Sequence, residues 1–366
     1  MRRMWMLLLC LCLTWTPAAA SGDVLAQQSG ALGLDGLSDA AGEYAPEGAV
    51  GEVDLNQGLA GLLDTGSAQL TGVVRKAVRS GVLLLSVVLL CALAQGTYEA
   101  AGAAGGALQV VPMTAALAVT AIAVADVHSL IGMGVQALER MEAFSNILLP
   151  TMAAVTAASG YPGAAAARQF AAMLFSGALL RLINGLLLPL VYGYIAACAA
   201  HAAVGNEGLK RIAGTLKWAV TTVLTVLLLA YVGYLTVSGV VAGTADAVAV
   251  KAAKFTVSSM VPVVGGILSD AAETVLAGAG ILKSAVGVFG MLAVLSMCLA
   301  PFLQLGVHYL AYKLTAALAA TVADGRVAGL IDGIGGAFGL ILGMTGASAL
   351  LLLVSMVASV SLASPS

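Results

Sequence analysis

Residues 286–312 read VGVFGMLAVLSMCLAPFLQLGVHYLAY, with no Asp, Glu, Lys or Arg. A stretch this long and apolar is what about 30 Å of hydrocarbon requires of a helix at 1.5 Å rise per residue. Its neighbours repeat the pattern. Further apolar runs lie at 81–95, 108–125, 147–158, 170–200, 218–241 and 335–362. The run at 147–158 is short and begins beside Pro150, so it reads as a half-span or re-entrant piece. The preferred reading is six full spans plus this partial one.

Composition agrees. The chain of 366 residues is 60% hydrophobic and 9% charged, with a mean hydropathy of +1.02; soluble domains carry about a quarter charged residues. Such a chain cannot cover a water-facing surface. A bilayer tolerates the balance, because helices satisfy their own backbone polarity. The expected fold class is all-α: a polytopic membrane helix bundle of about 6–7 transmembrane segments, with a re-entrant or interfacial amphipathic helix pair, after a short soluble N-terminal segment. The net charge is −2, without the basic surplus that tracks a phosphate backbone, so nucleic acid is not an expected partner.

The N-terminus sets the expected compartment. Met1-Arg2-Arg3, an apolar stretch to Trp15 and Pro17-Ala18-Ala19-Ala20-Ser21 read as a signal peptide over 1–20, cleaved after Ala20. From 21 to about 75 the chain turns to Gly, Ser and acid, with Asp23, Asp35, Asp39, Glu43, Glu47, Glu52, Asp54 and Asp64. Too few large apolar residues stand there for a core, so a partly disordered acidic extracytoplasmic segment is expected. The transmembrane domain then fills 76–366.

Loop charges order the spans, since short cytoplasmic loops collect Lys and Arg. With the start outside and six crossings, Lys210, Arg211, Lys217, Lys313 and Arg326 fall inside. Arg75, Lys76 and Arg79 fall on the outer side in this scheme, against the rule. Small-residue spacings such as Gly335/Gly339/Gly343 and Gly102/Gly106 predict close helix approach, within a bundle or a homo-oligomer.

One segment, 243–283, is no plain span: it carries Asp246, Lys251, Lys254, Asp270, Glu273 and Lys283. The helix must break around Pro262, Gly265 and Gly266, because Pro lacks a donor and Gly tolerates unusual dihedrals. Asp270 with Glu273 three residues on has capping-box spacing. The expectation is a charged helix-hinge-helix, either lying at the interface with its charges in water or lining a water-filled path as a conduit or gate. Arg181 and Asn184, one turn apart in the run at 170–200, are candidate intramembrane polar residues; if the run breaks near Pro189, Arg181 instead nears a surface. His128, His201 and His308 are solitary and read as loop or packing residues, with no metal site implied. There is no GxxxxGK[ST], HExxH or GxSxG motif, so no catalytic residue and no cofactor is assigned, and an enzyme is not expected.

Beyond spacing, the residues themselves resemble a family. Lys251-Ala-Ala-Lys254-Phe255, Val261-Pro262-Val263-Val264-Gly265, Ser269-Asp270-Ala271-Ala272-Glu273-Thr274-Val275 and Leu282-Lys283-Ser284-Ala285-Val286-Gly287 look like the signature of stage III sporulation protein AE. Leu149-Pro150, Ala158-Ser159-Gly160, Leu209-Lys210-Arg211 and Tyr312-Lys313-Leu314-Thr315-Ala316-Ala317-Leu318 follow in the family's order. The resemblance implies a multi-pass protein of the mother-cell membrane around the forespore. It also implies a place in a secretion-like channel with other stage III sporulation proteins, a separate cytoplasmic ATPase among them. The alternatives are a stand-alone secondary transporter and a non-conducting membrane scaffold.

Overall fold

The computed structural model describes residues 34–361 apart from 47, 49, 51–52, 101–106, 261–264 and 324; the side chains of 238–278 and of a few scattered positions are likewise not described. The leader, Pro262 and the Gly102/Gly106 pair therefore lie outside the described residues. Among these the secondary structure is helical: α1 (Asp35–Ala41), α2 (Leu55–Ala100), α3 (Ala107–Ala158), α4 (Pro162–Leu182), α5 (Leu188–Val204), α6 (Glu207–Met260), α7 (Gly265–Ala319) and α8 (Gly325–Ser361).

Helix ends follow local chemistry. Asp54 Oδ1 accepts from the backbone N–H groups of Asn56 and Gln57 at 2.7 and 3.1 Å, capping α2. α3 stops at Ala158 because Gly160 takes φ 94°, and Pro162 opens α4 at a position where no N–H is needed. α5 ends on Gly205 in the left-handed region (φ 75°), its N–H bonded to the His201 carbonyl at 2.7 Å. Between α4 and α5 the chain does not break. A π turn, Ile183–Leu187, widens the helix just before Pro189 and so absorbs the ring that would clash with the preceding turn.

Six helical stretches are long and apolar enough to cross a membrane: Leu55–Thr97, Val110–Ala158, Ala165–Val204, Glu207–Val237, Ala279–Ala319 and Gly325–Val360. The fold is a polytopic helical membrane bundle. It corrects the expected partial span: the runs at 108–125 and 147–158 belong to one helix of 52 residues. The polar stretch between them stays helical because its charges have somewhere to go. Arg140 bonds the Tyr44 hydroxyl, lies over the Tyr44 ring and sits 4.0 Å from Glu43, so the N-terminal segment docks against it while leaving it half exposed. Likewise 243–260 and 265–283 are not separate helices but the far ends of α6 and α7.

α8 is the central element, packed on α7, α3, α5, α6 and α4. Its glycines admit neighbours, as their spacing predicts: a Cβ on Gly335 would stand 3.0 Å from Tyr312 Cβ, and one on Gly339 would stand 3.1 Å from the Tyr309 ring. α2 is an edge helix on α7 and α3. It runs parallel to α7 in fixed register, Gly58 against Leu292, Gly66 against Leu299 and Gly81 against Thr315. This register offsets the apolar runs of the two helices along the bundle. The most apolar part of α2 begins where α7 is about to end, and the α7–α8 connection packs through Ala323 and Val327 onto Val88, Cys91, Val111 and Pro112.

Candidate functional site

The hinge residues singled out from sequence are spread over two helix ends. Lys251 and Lys254 lie near the end of α6, while Gly265, Gly266, Asp270 and Glu273 lie in the first turns of α7. Lys283 is further along α7 and fully buried, its ammonium 5.7 Å from the Tyr161 ring centroid in the α3–α4 connection. An aromatic face is a favourable place for a desolvated cation. Arg181 and Asn184 are both exposed on the outer surface of the bundle.

A different set of polar side chains does converge. On α7, Tyr312 donates its hydroxyl to Asp126 Oδ2 of α3 at 2.9 Å. The next residue, Lys313, donates to Asp332 Oδ1 of α8 at 2.6 Å, with its ammonium 5.8 Å from the Tyr309 ring centroid. Tyr312 meets Phe338 edge-on at 5.1 Å. One turn earlier, buried His308 must carry its proton on Nδ1, because that nitrogen lies 2.7 Å from the Gln304 carbonyl, which can only accept. Its Nε2 finds no hydrogen-bond partner among the described residues.

Basic side chains gather toward this end of the bundle. Gly81 against Thr315 brings Arg75, Lys76 and Arg79 of α2 to the height of Lys313. Lys217 of α6 reaches within 3.8 Å of where a Cβ on Gly336 would stand, and Arg326 of α8 packs on Gly205 beside Lys210 and Arg211. Eight of the chain's 16 Lys and Arg therefore lie toward this end of the bundle, spread over about 15–20 Å, since Gly336 is ten residues along α8 from Arg326. The α2 trio that breaks the loop-charge rule from sequence alone shares this end with the charges that obey it. The hydrogen bonds of Tyr312 and Lys313 pin α3, α7 and α8 in register; among the described residues, no three His, Cys, Asp or Glu side chains are grouped to hold a metal.

Sequence reasoning had no means of pairing Asp126 with Tyr312 or Lys313 with Asp332. A faint signal existed: Asp126 directly follows the run at 108–125, and Tyr312 closes the run at 286–312. Toward the opposite end, a polar cavity of about 390 Å³ opens under the N-terminal segment, lined by Glu43, Tyr44, Asp54, Gln57, Thr65 and Ser296 among others. An apolar groove of about 380 Å³ runs between α2 and α7, past Val74, Val78, Leu310 and Leu314.

The profile of the Stage III sporulation protein AE family matches residues 51–363. The chain belongs to that family. It is similar to Stage III sporulation protein AE of Bacillus subtilis (strain 168), at 30% identity over 220 residues, 58% of this chain and 53% of the relative. It thus spans about half the length of the curated relative it matches. No solved structure matches. The stage III sporulation protein AE match takes in α2 to α8 almost entirely, including the Tyr312 and Lys313 hydrogen bonds and both ends of the hinge segment.

Proposed function

We propose that this chain is the polytopic membrane subunit of the secretion-like channel between mother cell and forespore, supporting forespore development. The observation that carries the reading is the family match over 51–363. The six membrane-length helices supply a body for such a subunit. Its partners are the other stage III sporulation channel proteins, with a separate cytoplasmic protein as the ATPase, since this sequence displays no phosphate-binding loop.

In this reading the chain sits in the mother-cell membrane around the forespore. The acidic N-terminal segment is extracytoplasmic, and the basic end with Arg75, Lys217, Lys313 and Arg326 faces the cytoplasm, as Lys and Arg do beside spans. The hinge segment, with Lys251, Lys254, Pro262, Gly265, Gly266, Asp270, Glu273 and Lys283, serves as conduit or gate at the opposite end. Charges at membrane depth line paths rather than lipid.

The test is genetic. A strain lacking the endogenous gene should sporulate when this chain is supplied and stall after engulfment when it carries Lys251→Ala with Lys254→Ala, at unchanged protein level and membrane insertion. Normal spore yield from the double variant removes the gate. Normal spore yield from the deletion strain removes the sporulation role itself.

A further inference from the structure

Heights along the bundle can be read from cross-helix contacts. Cys298, in the middle of the apolar run at 286–312, has its sulfur 3.3 Å from the Met141 sulfur on α3. At that height Gly66 of α2 faces Leu299, the position of its Cβ 3.3 Å from a Leu299 methyl. Asp64 is two residues before Gly66, about 200° around the helix, so it points away from α7. On the far side of α3, Leu179 and Leu180 of α4 border the same small cavity as Leu138, Met141 and Ser348. Arg181 comes next in the chain. Asp64 and Arg181 therefore stand at nearly the same height.

Both are exposed, and neither has an ion-pair partner among the described residues. They occupy different sides of the molecule: α2 packs on α7 and α3, while α4 packs on α3, α6 and α8. Arg181 stands on an otherwise lipid-like face with Phe170, Met173, Leu174 and Leu186 exposed around it. A charge facing hydrocarbon at that depth costs about 2.5–3.5 kcal/mol on the insertion scale, and such groups pair with one another where they can.

The geometry points to a self-association surface in which Arg181, with Asn184 one turn on, meets Asp64 of a second copy of this chain. Copies inserted in one membrane share orientation and depth, so groups at equal height meet when the α2 side of one copy lies against the α4 side of the next. Opposite charge makes that meeting favourable. Thr65, Ser67, Ala68 and Gly72 around Asp64 are small enough to let another helix approach closely. Because the two patches differ, the contact is heterologous: it repeats around a ring if the rotation closes. The surface rests on the membrane placement of the bundle and stands apart from the sporulation reading.

Two measurements on the full chain test it. In a background with its cysteines changed to Ala, Ser67→Cys combined with Asn184→Cys, each one turn from the charged pair and exposed, is oxidised in reconstituted vesicles. The expected product is a ladder of disulfide-linked multimers. Ser67→Cys combined with Trp218→Cys serves as control, because Trp218 is exposed but lies beside Lys217, toward the other end of the bundle. A monomer from the first pair, or equal ladders from both, overturns the surface. Separately, Arg181→Asp and Asp64→Arg should each weaken self-association in detergent by about tenfold or more, and together restore it. Unchanged particle mass in the single variants, or a double variant no better than either, overturns it as well.

Discussion

Gly81 of α2 abuts the hydroxyl of Thr315 on α7, one turn before α7 ends at Ala319. That contact fixes how two sets of apolar runs are offset along the bundle. The 81–95 run of α2 begins at the height where the 286–312 run of α7 stops, and Asp126, at the foot of the 108–125 run, takes the Tyr312 hydrogen bond there. The polar halves of α2 and α3 consequently stand beside the apolar length of α7. Asp64, Glu139 and Arg140 are exposed on them, so this flank demands water or protein rather than lipid.

The close approach at Gly81 leaves no room for a side chain. A Cβ there would lie 2.7 Å from Thr315 Oγ1. Gly81→Val should therefore destabilise the protein in detergent by about 1–3 kcal/mol through overpacking. Gly96→Val, on the same helix with nothing within 4 Å, should leave the thermal midpoint nearly unchanged. Equal effects from both would mean that helix propensity, not the α2–α7 contact, sets the outcome.

Tyr312→Phe removes the single hydroxyl that ties α7 to Asp126 of α3. A hydrogen bond to a charged acceptor contributes about 1.5–3 kcal/mol, and Asp126 is only half-buried, so a loss near the lower figure is expected in chemical or thermal unfolding. Asp126→Asn retains an acceptor and should lose less than Asp126→Ala. If Tyr312→Phe is as stable as the wild type, the pair does not hold α3 to α7.

How far these features were legible in sequence differs by kind. Apolar runs free of charge announced a helical bundle, because length and hydropathy alone decide whether a helix can enter lipid. The join of 108–125 to 147–158 is hidden, since the intervening Asp126, Glu139, Arg140 and Glu142 read as a loop, and only the structure shows Tyr44 and Glu43 pairing with Arg140. The site was less legible still. Lys313 and Asp332 lie on successive helices, but no pattern within either helix gives the register between them; that register depends on Gly335 and Gly339 letting the α7 tyrosines close in.

The Tyr44 contact carries its own pH dependence. Burial pushes the phenol above its ordinary value of 10.0, and a hydrogen bond with Glu43 adds to this, while the Arg140 charge opposes. The docked segment thus keeps a proton that the undocked segment releases near pH 10. Docking should be fully retained at neutral pH and weaken as pH rises through the elevated value. Hydrogen exchange of residues 34–46 should show protection falling as pH rises above about 10, and Tyr44→Phe should flatten the profile. Protection that stays constant in the wild type through this rise would exclude Tyr44 as the holding group.

The basic end makes a prediction about sidedness. Arg75, Lys217 and Arg326 are far apart in sequence and sit on α2, α6 and α8, yet the contacts at Gly81, Gly336 and Gly205 set all three toward the same end of the bundle. A cysteine at any of the three should react with a membrane-impermeant maleimide from one and the same side of sealed vesicles. In the proposed orientation, with the N-terminal segment outside, that side is the cytoplasmic one. Were the Arg75 position labelled from the opposite face to the other two, α2 could not keep its register against α7 in the bilayer, and the offset between the apolar runs would have to be abandoned with it.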